Sequence, residues 1–127
     1  MVAVPNLVPA PNHPALVEAY GGVNAVVDEL DDFGLQRPTR CRGWLVADLL
    51  CHLLADARRA LVTLASPVAG PADVDSVTYW QAFPGAGPAD AGRHAWSARR
   101  WAPAFDRPVA VAHAWTETAA AVRTRRG

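Results

Sequence analysis

Apolar residues recur along most of the chain at helical spacings, with polar residues between them, which marks helices that bury one face. Leu16, Tyr20, Val23, Val27 and Leu30 form the first stripe. Pro14 suits the first turn of that helix, and Gly21-Gly22 offers a place for a kink. Phe33-Gly34 and Arg37-Pro38-Thr39 end it. The second stripe is the clearest: Val46, Leu49, Leu50, Leu53, Ala57, Leu61 and Leu64 share one face between Leu45 and Leu64, and Ser66-Pro67 stops it. Residues 66–89 hold four Pro and three Gly with little periodicity, and are read as a long loop carrying Tyr79-Trp80. A third helix is predicted from about Asp90 to Trp101, broken by Pro103. Pro108 opens a fourth segment with the stripe Val111, Trp115, Thr118 and Val122. No segment alternates with the two-residue period of a strand. The pattern predicts an all-α bundle in which Leu16–Leu30, Leu45–Leu64 and Val109–Arg125 pack as antiparallel helices.

At 127 residues the chain fits one domain. Residues 1–13 read as an extended Pro-rich segment and 14–127 as the helical domain. Composition supports the helical reading: Ala is the commonest residue, and Arg supplies all twelve cations. Twelve acids balance them, which argues against a broad nucleic-acid surface. The cluster Arg123, Arg125 and Arg126 complements a helix C-terminus. No apolar run approaches the roughly 20 residues needed to cross a bilayer, and the Pro-rich start is unlike a signal peptide. Cytoplasmic localisation is expected, with Cys41 and Cys51 reduced.

The informative stretch runs from Pro38 to Leu53. A Pro-Thr-x-Cys-x-Gly-Trp turn (Pro38 to Trp44) leads into a helix with Asp48 in its first turn and His52 one turn later. Spacing places Asp48 and His52 on one face, so a hydrogen bond between them is the plain expectation. His52 falls to the side of the Leu stripe, which makes it more than a core filler. Asp48 reads as a helix-start acid, or as a partner orienting a ligand histidine. Cys51, on a Leu-rich helix, reads as a small buried hydrophobe. Cys41 lies between two Arg and reads as a packed turn thiol, although such neighbours can lower a thiol pKa. His113 and Glu117 sit opposite the Val111, Trp115, Val122 stripe and should face solvent. His13 and His94 have no patterned partners. Trp44, Trp80, Trp96, Trp101 and Trp115 are expected mainly in the core, with Trp80 the best candidate for a cleft.

The stretch Gly43-Trp44-Leu45-Val46-Ala47-Asp48-Leu49-Leu50-Cys51-His52 resembles the N-terminal metal-binding domain of the mycothiol-dependent maleylpyruvate isomerase family, one of the DinB-like bundles. Asp73-x-Asp75-x-Val77-x-Tyr79-Trp80 and the helix around Ala114–Ala119 agree with it. The resemblance covers the chain from about Leu16 to its end. It implies an up-and-down four-helix bundle holding a divalent metal, usually Zn(2+), near one end. His52 matches one ligand of that family. The family's other two ligands are a Glu and a His about a turn apart on its last bundle helix. No Glu-x-x-x-His occurs in these 127 residues, so the chain reads as lacking that last helix. Leu45 replaces the usual Ser or Thr and removes a cap worth about 1 kcal/mol.

The implied partners are mycothiol, or another small thiol or small-molecule substrate, in a thiol-dependent isomerase or transferase. The chain alone is not expected to be a competent enzyme. The rival reading is a non-enzymatic helical module whose exposed bundle groove takes another helix or a second copy, giving a homodimer.

Overall fold

The structure, a computed structural model, describes residues 13–66, 68–82, 93, 96–97 and 99–124. Its elements are α1 (His13–Val27), α2 (Asp32–Leu35), α3 (Val46–Ala65), α4 (Ser76–Ala82), a 3₁₀ turn (Ala102–Ala104) and α5 (Pro108–Thr124). Arg93, Trp96, Ser97 and residues 99–101 are helical as well, where the third helix was predicted. Among the described residues there is no strand, only an isolated antiparallel bridge between Pro38 and Leu45. The all-α bundle stands. Residues 1–12, and His94, Arg125 and Arg126, lie outside the described residues.

The core is organised around α5. Val111, Ala112, Trp115, Ala119 and Val122 are buried on one face. Against them lie Ala47, Leu50, Cys51, Leu54 and Ala57 of α3, Val27 of α1 and Leu35 of α2. Contact between α3 and α5 is the most extensive in the fold, and α1 docks mainly on α5. Trp115 is 1% exposed. Its ring packs against Tyr20 at 5.2 Å, and its Nε1–H donates to Asn24 Oδ1 at 2.7 Å, which satisfies the buried indole.

The face that α3 buries is rotated from the predicted stripe. Leu50 and Ala57 are buried as expected, but Leu49, Leu53, Leu61 and Leu64 are only half-buried, while Ala47, Cys51 and Leu54 are fully inside. Periodicity finds the widest apolar arc of a helix. It does not reveal that α5 meets the side carrying Ala47, Cys51, Leu54 and Ala57.

The predicted long loop contains a helix. Asp75 Oδ1 accepts from the backbone N–H groups of Val77 and Thr78, and Thr78 Oγ1 accepts from Asp75 N–H, a reciprocal cap that starts α4. Gly21 and Gly22 do not interrupt α1, which runs through both.

A second acid joins distant elements. Asp32, in α2, accepts from Arg107 Nη2 at 2.7 Å and from Val109 N–H at 2.8 Å. It thereby supplies, from across the chain, an acceptor for the first turn of α5. The Arg107 guanidinium, and after it the Val109 N–H, hold the Asp32 carboxyl below its ordinary range.

Leu54→Ala should destabilise the fold by roughly 2–5 kcal/mol, and half-buried Leu53→Ala by clearly less, measured by chemical denaturation. An equal loss at both positions would contradict the observed rotation of α3. The lowered pKa of Asp32 means its stabilisation is complete above the ordinary carboxylate value and is lost as pH falls through the folded value. Asp32→Ala should therefore melt below the parent at neutral pH. The difference should narrow as pH falls below about 4.

Candidate metal-ligand site around His52

The site is built on the turn that precedes α3. Thr39 closes it: its N–H and its Oγ1–H both donate to the Trp44 carbonyl at 2.9 Å, and its Oγ1 accepts from Cys41 N–H at 3.1 Å. Trp44 N–H donates back to the Cys41 carbonyl at 3.0 Å. Gly43 has φ +80°, a conformation that side chains with a Cβ rarely adopt, and a Cβ there would stand 3.3 Å from Arg99 Nη1. The Pro-Thr-x-Cys-x-Gly-Trp pattern is thus the chemistry of one tight turn.

Leu45 then occupies the N-cap in extended conformation, with no side-chain acceptor to offer. Asp48 answers from the third helical position: its Oδ2 accepts from Leu45 N–H at 2.8 Å. Half of a capping box survives. Asp48 is 7% exposed and is engaged with the backbone, so the helix-start reading holds.

His52 therefore does not pair with Asp48. Its Nε2 lies 3.7 Å from Asp56 Oδ2, one turn further along α3. Helical side chains lean toward the N-terminus, which brings Asp56 back over His52 while Asp48 leans away to the cap. The Trp44 ring stands edge-on to the imidazole at 5.5 Å. His52 is half-buried, outside the face that α5 covers. Tyr20 of α1 is within reach of the same charge: burial first, and then Asp56, push its phenol pKa up. Asp56 is thus the charge that His52 and Tyr20 share. Asp56 was not singled out from the sequence, although its four-residue spacing from His52 is the same signal that pointed to Asp48 on the other side.

The other candidates do not gather here. Cys51 is buried, as expected, and burial pushes its thiol up, with Arg58 pulling weakly the other way. Cys41 is exposed on the turn, not packed into it. His113 and Glu117 both face solvent. Only Trp115 of the five Trp is fully buried; Trp44 is half-buried, and Trp80, Trp96 and Trp101 are exposed. Trp80 rests edge-on against Tyr79 at 5.3 Å on the exposed helix α4, and Arg100 lies 4.4 Å over the Trp96 ring. Area-based expectation fails for these residues because they lie outside the cluster that α1, α2, α3 and α5 bury together.

Among the described residues, no three His, Cys, Asp or Glu side chains come together. Zinc takes three or four protein ligands. His52 and Asp56 offer two donors, so the described residues alone do not fit a zinc site. No described helix is long and apolar enough to cross a membrane.

The fold and the His52 turn define an all-α, DinB-like bundle domain. The profile of the mycothiol maleylpyruvate isomerase N-terminal domain matches residues 16–126, and the chain belongs to that family. Neither the curated proteins nor the solved structures give a match.

Gly43→Ala should destabilise the domain by roughly 1–2 kcal/mol, the cost of a left-handed conformation for a residue with a Cβ. Thermal or urea unfolding measures it. A neutral effect would mean the turn before His52 relaxes freely.

Proposed function

We propose that the chain is a metal-binding domain of a thiol-dependent isomerase or transferase, with His52 as one ligand of a zinc site. Its remaining ligands come from outside the described residues. The observation that carries this reading is the placement of His52. It sits one turn into a helix started by a tightly specified turn, off the core face, steadied by Trp44 and by Asp56. A carboxylate beside a ligand histidine commonly orients its ring, and Asp56 Oδ2 stands 3.7 Å from His52 Nε2, at ion-pair distance and not at hydrogen-bond distance. Family membership supports the same reading and points to mycothiol as the thiol. Reduced Cys41 and Cys51 are consistent with a cytoplasmic setting.

A second reading draws on a separate feature. Between α1 and α3 lies an open groove of about 400 Å³ lined only by apolar residues, among them Val23, Val26, Leu49 and Leu53. An apolar groove between two helices suits a third, amphipathic helix, and in this reading a second copy of the chain supplies it. The domain is then an interaction module whose sedimentation shows a concentration-dependent dimer without metal, abolished by Leu49→Glu.

Zinc separates the two. After equilibrium dialysis, the 127-residue chain should retain less than one zinc per molecule, and His52→Ala should reduce that further. A chain extended by a helix with the family's Glu and His should hold one zinc, lost on His52→Ala with its helix content preserved. Tight one-to-one zinc in the 127-residue chain that survives His52→Ala would overturn the reading and direct attention to His113, Glu117 or Cys51 as ligands across a dimer. Equal zinc in the extended chain with and without His52 would remove His52 from the site.

A further inference from the structure

The opposite side of α3 carries a second pocket. It has a volume of about 270 Å³ and lies between α3 and the segment around the 3₁₀ turn, lined by Cys51, Leu54, Arg58, Trp101, Ala104 and Phe105. Cys51 and Leu54 are buried and form its floor. Phe105 is half-buried, and Trp101 and Arg58 are exposed at its edge. On the helical wheel this face of α3 is distinct from that of His52 and Asp56, so the pocket is separate from the site proposed above.

Three features of this pocket point to one class of ligand. Among the described residues that line it, Arg58 is the one charged group. Among the described residues Arg58 makes no ion pair or hydrogen bond, although twelve acids balance the twelve Arg of the chain and Arg107 is paired. A guanidinium beside a pocket recognises a carboxylate by its planar pair of donors. Trp101 and Phe105 add two flat aromatic surfaces, which favour a flat apolar body over a flexible polar one. The volume lies just below the roughly 300–1,000 Å³ of pockets that enclose drug-sized ligands, so it suits a molecule of one or two rings.

We propose that this pocket binds a small aromatic carboxylate, with Arg58 pairing with the carboxylate and Trp101 and Phe105 covering the ring. The inference does not depend on zinc or on the function proposed for His52.

The probe is 2-naphthoate, titrated by calorimetry into the whole chain, with 2-naphthamide as its neutral counterpart. Naphthoate should bind saturably, and naphthamide at least tenfold more weakly. Arg58→Gln should raise the Kd for naphthoate at least tenfold, while Arg59→Gln, altering a neighbouring exposed Arg outside the pocket, should leave it unchanged. Absence of saturable naphthoate binding overturns the proposal. So does equal binding of acid and amide, or an equal loss in both Arg variants.

Discussion

Trp115 holds the domain together. Its indole lies at the centre of the α5 face, where it meets Tyr20 and Asn24 of α1 on one side while the neighbouring Val111, Ala112 and Ala119 pack with α3 in the same core. A buried Trp contributes a large apolar area, and its one polar atom must find a partner. The Asn24 carbonyl oxygen supplies that partner, which fixes α1 in rotation about its own axis as well as in position. Because α1 and α3 both dock on α5, the relation between them is set through it.

That arrangement explains the groove. A helix pair that meets mainly through a third helix leaves apolar side chains facing a common space. Val26, Leu49 and Leu53 show this: each is apolar, each lies on a well-formed helix, and none is fully covered. His52 and Asp56 lie just beyond Leu49 and Leu53 on α3, at the edge of this space. The proposed ligand histidine and the unfilled apolar surface are therefore neighbours.

The acids show how backbone demands compete with chemistry. Asp48, the residue spaced most suggestively from His52, serves the N-terminus of α3 because Leu45 offers no oxygen of its own. Asp32 serves the start of α5 from a different element, and Asp75 serves α4. Each carboxylate accepts N–H groups that a helix start leaves without partners. Asp56, in the middle of α3 where no N–H is free, is the one left to face His52.

The sequence by itself determined the helical class, the long helices α1, α3 and α5, the buried Trp115, and the turn that presents His52. These rest on local rules: period, capping and the left-handed Gly43 are properties of a few consecutive residues. The rest depended on which surfaces meet. The sequence showed a Leu stripe on α3 but could not show that α5 would choose the side beside it, with Ala47, Cys51 and Leu54. Nor could it reveal that Asp56 would take the place of Asp48, or that Arg107 would find Asp32 far away in the chain. Of the five Trp residues only Trp115 lies on a long helical stripe and is buried, and that Trp80, Trp96 and Trp101 are left exposed was decided by the packing around them. Only tertiary packing decides such matters, because burial and pairing are set by neighbours that are remote in sequence.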